Sequence, residues 1–240
     1  MKIVAMTDVH ANLPALLAAL KAIRAEGYDI LVHTGDAIAL GPYPSECLEL
    51  LFNTPRIRFV MGNNDAYFVN GLPKPQQPST SNENLQHQLW THTQLDPALR
   101  RTMAQWPYII DLESSGTRAT FVHYALDASG QDFVPSIKEP TIADMDNAFS
   151  SVNSSVVFFG HDHSPCDLQG RMRYMNPGSL GLCKEPVARY CSVELSSKGF
   201  TVEHLAAEYD RTGLFRAYAE RNVPARQAIQ KAFFGRAADD

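Results

Sequence analysis

The feature that most constrains this chain is a recurrence. Five short apolar runs, far apart in number, each end in or give way to Asp, Asn or His. Residues 3–6 lead to Asp8 and His10, and residues 30–34 to Gly35-Asp36. Residues 58–61 lead to Gly62-Asn63-Asn64-Asp65, residues 119–123 end in His123, and residues 156–159 lead to Gly160-His161-Asp162-His163. Short apolar runs bounded by turn residues are consistent with buried strands. In extended chain, positions i and i+2 share a side, so Asp8 and His10 are expected to leave the first strand facing one point.

The intervening residues read as helices. Asn12 is placed to cap one, with Pro14 in its first turn. Leu13, Leu16, Leu17, Leu20 and Ile23 recur at helical spacing before Gly27 ends it. A second helix is expected over 45–52. Strand, helix, strand, helix, strand implies parallel pairing with right-handed crossovers.

Residues 69–82, with three prolines and a Ser/Thr/Asn cluster, read as an exposed linker. Helices are expected over 83–94 and 97–105, and residues 67–106 form a helical insertion that is a candidate lid. Strands over 109–112 and 119–123 should pair across Ser-Ser-Gly-Thr. Thr141 and Asp144 suggest a capping box. A strand over 172–175, a hairpin of 190–195 with 200–205, and helices near 212–221 and 224–234 complete the chain. There is no internal repeat and no domain boundary: 1–240 reads as one domain with a helical tail at 207–236.

Bulk properties narrow the function classes. A net charge of −5 and scattered basic residues argue against a nucleic-acid partner. Cys47, Cys166, Cys183 and Cys191 have no C-x-x-C spacing and are expected to be free, mostly buried thiols of a reducing compartment. With no signal-peptide pattern and no membrane-length apolar run, the expected location is cytoplasmic.

Asp8, His10, Asp36, Asn63, His123, His161 and His163 are hard or borderline donors with no thiolate among them. Such a set favours Mn, Fe, Zn or similar divalent ions. Seven donors exceed the needs of one tetrahedral ion and suit two ions about 3.5–4 Å apart, with a carboxylate bridging. Taken singly, His123 would pass for a core histidine, and Asp36 and Asn63 for turn residues. Two imidazoles in the tight loop 161–163 are harder to explain that way. Ser179 lacks nucleophile-elbow spacing, and the loop after Gly35 carries no P-loop Lys. His33, His87, His92 and His204 have no motif context and read as structural or surface residues. Lys184 and Arg189 could steady a phosphate or simply be solvated. Asn176-Pro-Gly-Ser-Leu-Gly181 is expected to shape a pocket floor.

These motifs resemble the calcineurin-like metallophosphoesterase superfamily, whose pattern is D-x-H, G-D, G-N-H-[DE], a lone His, and G-H-x-H. They stand here as Asp8-Val-His10, Gly35-Asp36, Gly62-Asn63-Asn64-Asp65, His123 and Gly160-His161-Asp162-His163. The loop from Gly35 to Pro44 and the segment Asn176–Gly181 are similar to the small bacterial and archaeal phosphodiesterase branch. The resemblance implies an α/β fold, a four-layer α-β-β-α sandwich of two mixed sheets flanked by helices. It implies one ion on Asp8, His10, Asp36 and His163, and a second on Asp36, Asn63, His123 and His161. Mn²⁺ is the first expectation, with Fe, Zn or Ni as alternatives.

The implied activity is hydrolysis of phosphodiester or phosphoanhydride bonds in a small phosphorylated substrate by a metal-activated hydroxide. Asp36, His161 and Asn64 are the candidate catalytic residues. Asn64 departs from the pattern, because it stands where the family has its general-acid His. An amide donates hydrogen bonds but no proton, so leaving groups of low basicity are expected to suffer least. Rival readings are a non-catalytic interaction scaffold, a protein serine/threonine phosphatase, or a dinucleoside-polyphosphate hydrolase.

Overall fold

A computed structural model describes residues 1–74 and 81–236. The chain opens with β1 (Lys2–Met6), α1 (Leu13–Glu26), β2 (Ile30–His33), α2 (Pro44–Phe52) and β3 (Ile57–Phe59). β1 pairs with β2 and β2 with β3, both parallel, as the alternation predicts. Asn12 accepts the Ala15 N–H at 3.1 Å and caps α1, and the Gly27 N–H closes the other end on the Ile23 carbonyl. Leu17 differs from the expected stripe, being 52% exposed. Ala15 and Ala19 fill the buried face beside Leu16, Leu20 and Ile23, because a helix packed closely on a sheet takes small side chains.

Next come α3 (Asn63–Asn70), α4 (Asn82–Thr93) and α5 (Leu99–Met103). Helix α3 corrects the expected linker, since its turns run through Val69. Asp65 accepts the Gly62 N–H at its start, and Gly71 ends it. Of the expected linker, residues 75–80 lie outside the described residues.

β4 (Ile109–Ser114) and β5 (Thr117–Val122) form the expected hairpin. α6 (Ile142–Ala148) starts on the Thr141–Asp144 capping box, with both reciprocal bonds made. β6 (Val156–Phe158) precedes β7 (Cys166–Gln169) and β8 (Arg173–Asn176). β7 has little apolar signal in the sequence, because its exposed and half-buried residues make an edge strand. β9 (Val187–Ser196), β10 (Gly199–Glu208), α7 (Thr212–Glu220) and α8 (Arg226–Phe234) finish the fold.

The two sheets run β10-β9-β1-β2-β3 and β4-β5-β6-β8-β7, each mixed. Ile3, Ala5 and Val32 of the first meet Phe121, Val156 and Phe158 of the second in one core. On the opposite face of β1, Val4 and Met6 pack against Leu16 and Leu20 of α1. Both faces of β1 are thus buried, which is why it reads as a continuous apolar run. On the far side, Val157 and Tyr174 pack with Met145 beneath α6. The result is the four-layer α-β-β-α sandwich. All four cysteines are free, Cys47 and Cys191 fully buried. Among the described residues, no helix is long and apolar enough to cross a membrane.

Candidate metal centre

The five donor-bearing segments follow the carboxyl ends of β1, β2, β3, β5 and β6. Those strands run parallel within each sheet, so the loops emerge at a common edge, the usual location of ligand sites in parallel sheets. There the seven predicted side chains converge. His10 Nε2 lies 2.9 Å from His163 Nε2, 3.5 Å from Asp8 Oδ1 and 3.7 Å from Asp36 Oδ2. Asp36 Oδ2 is 3.6 Å from His123 Nε2. Asn63 Oδ1 lies 3.0 Å from His123 Nε2 and 2.9 Å from His161 Nδ1.

The route to convergence corrects the extended-chain expectation. Asp8, His10, Asp36, His161 and His163 all have positive φ, between 46° and 76°. Left-handed backbone on a residue with a Cβ costs about 1–3 kcal/mol. Asp8 and His10 meet through this turn and not through the i,i+2 side of a strand. The strain is held by packing. The Asp8 and His10 N–H groups donate to the carbonyls of Gly35 and Asp36, and the Gly181 N–H donates to the Asp8 carbonyl. The Asn176–Gly181 segment buttresses this loop, with Ser179 Oγ also donating to the Asp8 carbonyl at 2.8 Å. Two glycines allow the close approaches. A Cβ on Gly62 would strike the Asp36 nitrogen and Oδ1, and one on Gly160 would strike Thr7 Oγ1 and Asp8 Oδ2.

Whether this cluster suits cations is decided by its lone pairs. His10 Nδ1 faces the Ile38 carbonyl and His123 Nδ1 the Thr34 carbonyl. A carbonyl only accepts, so each ring carries its proton on Nδ1 and turns the Nε2 lone pair inward. Asp8 Oδ1 is buried without a hydrogen-bond partner. Imidazole lone pairs, a carboxamide oxygen and carboxylate oxygens face one another, an arrangement that repels itself unless positive charge joins it. Protonation follows the same logic. Burial opposes charge on His163, yet Asp8 holds it above the ordinary imidazole value. Burial likewise opposes ionisation of Asp8, but His163 and His10 keep its carboxyl well below the usual range. His161 is pushed down to about 4, by burial first and then by His123. Two sets can each present three ligand atoms within 4.8 Å of one another: Asp8, His10 and His163, and Asp8, Asp36 and His123. The residues fit divalent ions.

A scan against family models matches residues 1–198 to the calcineurin-like phosphoesterase superfamily domain. The chain belongs to that superfamily. The uncharacterized protein MJ0912 of Methanocaldococcus jannaschii is 27% identical over 241 residues, covering 92% of this chain and 93% of that protein. A metallophosphoesterase from Sphaerobacter thermophilus superposes with a TM-score of 0.71 at 23% identity, over 95% of this chain and 96% of that one. The hypothetical protein PH1004 of Pyrococcus horikoshii OT3 reaches 0.77 at 19% identity, over 99% of both chains. The calcineurin-like fold expected from the motifs is therefore the fold observed.

Several residues around the centre act through hydrogen bonds that the sequence did not reveal. Asp65 accepts the N–H groups of Asp36 at 2.7 Å, Ala37 at 3.1 Å and Gly62 at 3.2 Å, fixing the turn that presents Asp36. Asn64 donates through its backbone N–H to Asp36 Oδ1 at 2.9 Å and through Nδ2 to Oδ2. Its own oxygen accepts from Gln88 Nε2 at 2.6 Å. His87, expected to be structural or at the surface, is buried and accepts the Leu40 N–H on its Nε2 at 2.7 Å. Asp65 was visible only as the acidic end of G-N-N-D, and Gln88 and His87 gave no local cue. Lys184 is exposed and Arg189 pairs with Glu185, so neither is shown contacting the cluster.

Proposed function

We propose that this calcineurin-like protein is a dimetal phosphoesterase that hydrolyses phosphodiester or phosphoanhydride bonds. The observation that carries the reading is the inward-facing set of lone pairs on His10, His123, Asn63 and Asp8, gathered from separate strand ends. In this reading one ion is held by Asp8, His10, Asp36 and His163. The other is held by Asp36, Asn63, His123 and His161, with Asp36 common to both. Mn²⁺ is the first ion to try, followed by Fe, Zn and Ni. When bound, two such ions acidify a water and neutralise charge on phosphoryl oxygens.

The chain's own residues supply position. Asp65 and Asn64 lock both ends of Asp36, so its carboxylate meets the ions without reorganising. The carbonyls of Ile38 and Thr34 hold the His10 and His123 rings in the ligating tautomer. Asn64, in the place of the family's acid, orients Asp36 and leaves departure of the leaving group unassisted by a proton. The test is Mn²⁺-dependent hydrolysis of bis-p-nitrophenyl phosphate, with Asp36→Asn expected to abolish it. A metal-loaded, folded protein that turns over no phosphate ester would favour the scaffold reading instead.

A further inference from the structure

Beside the centre lies a cavity of about 490 Å³, within the range of small-molecule pockets. Its walls come from distant parts of the chain: Tyr67 on α3, Leu85 on α4, and Ile229, Ala232 and Phe233 on α8. It reaches the centre at two points. Asn63 and Asn64 line it, and the Phe233 ring packs 5.3 Å from that of His163.

Among the described residues lining the cavity there is no Lys, Arg, Asp or Glu. Its polar groups are carboxamides (Asn63, Asn64, Asn84, Gln88), a tyrosine and His87. His87 offers no charge, because both ring nitrogens are engaged: Nε2 accepts the Leu40 N–H at 2.7 Å, and Nδ1 donates to the Pro224 carbonyl at 3.1 Å.

We propose that this cavity is the leaving-group subsite and that it takes an uncharged aromatic ring, making the preferred substrate class aryl phosphodiesters and not phosphoanhydrides. The proposal rests on the hydrolase reading. A polyphosphate leaving group would bring two or more negative charges past the ions into a cavity whose described lining has no Lys or Arg, at a desolvation cost. An alkoxide would need a proton that the Asn64 amide cannot supply. An aryl oxide needs neither. The water oxygen forms the new bond to phosphorus, the bond from phosphorus to the ring oxygen breaks with its electron pair leaving on the phenolate, and the water proton passes to solvent.

The experiment compares the methyl diesters of 4-nitrophenol and 3-carboxy-4-nitrophenol, whose rings differ by one carboxylate, on the Mn²⁺-loaded protein. The uncharged ring is expected to be favoured at least about tenfold in kcat/KM. The variants Ala232→Lys and Asn84→Lys, both at exposed positions on the cavity wall, should shrink or reverse that preference while leaving the fold intact by circular dichroism. In parallel, 4-nitrophenol binding to metal-free protein is followed by NMR shifts of cavity residues. Equal turnover of both esters, unmoved by either Lys variant, overturns the subsite and leaves the hydrolase reading standing. No turnover of either ester, with the ring still bound metal-free, overturns the hydrolase reading and leaves a ring-binding cavity.

Discussion

Asp65 accepts the backbone N–H groups of Asp36, Ala37 and Gly62, and so holds the turn on which Asp36 sits. Burial, then the charge of Asp36, push its carboxyl up to about 7, while His123 and the backbone amides of Asp36 and Gly62 pull the other way. Asp65→Asn keeps the size but offers one acceptor oxygen in place of two, leaving a buried N–H unpaired at a cost of about 1–3 kcal/mol. The expected result is a fall in Tm of about 2–12 °C for a chain of this length, together with weaker Mn²⁺ binding by calorimetry. Unchanged Tm and affinity would remove Asp65 from the positioning role. Asn64 is testable in the opposite sense. Asn64→His should speed hydrolysis of esters with basic leaving groups by about 10²-fold and leave p-nitrophenyl esters nearly unchanged. A uniform effect across leaving groups would argue against the missing-acid account.

At the scale of elements, the loops after the strands matter more than the strands. Eight described left-handed non-glycine residues, five of them Asp or His of the centre, are stored in three loops, and each loop is stabilised by contacts with another. Gly62 shows how tight that arrangement is, since a single methyl would collide with Asp36. Gly62→Ala is expected to displace Asp36 and to lower both stability, by about 1–3 kcal/mol, and Mn²⁺ affinity. Gly71→Ala, at a positive-φ helix end with open space around it, should cost stability but spare metal binding. Equal metal affinity in the two variants would count against loop packing as the source of the geometry. The α3 helix belongs to the same scale. Its start, Gly62-Asn63-Asn64-Asp65, reads as a turn because Gly and Asn favour turns. Asp65 turns it into a helix start by accepting the Gly62 N–H.

For the whole molecule, ligation should add stability. At free Mn²⁺ one hundred times Kd, one site contributes about 2.7 kcal/mol, or a rise in Tm of about 5–11 °C. The rise should be lost in Asp36→Asn; a shift that persists in that variant would place the ion elsewhere. His87 ties three distant segments together, joining α4 to the loop at Leu40 and to the carbonyl of Pro224. Burial first of all lowers its pKa to about 4. Because the unfolded chain takes up that proton near pH 6.5, His87 contributes stability fully above that value and loses it as pH falls toward 4. The loss is on the order of 3 kcal/mol. Urea titrations at pH 7 and pH 4.5 should differ less for His87→Gln than for the parent protein; equal differences would remove His87 as the acid-sensitive group.

The sequence by itself determined which residues carry the donors, their order, and the strands that deliver them. An apolar run ending in Asp or His is a local pattern, and local patterns survive without coordinates. Tertiary structure alone decided the left-handed backbone of the donor loops, the Gln88–Asn64–Asp36 chain of hydrogen bonds, and the cavity between α3, α4 and α8. Those features depend on how amphipathic faces dock across more than a hundred residues, and docking is set by packing of the whole core, which no short stretch of sequence encodes.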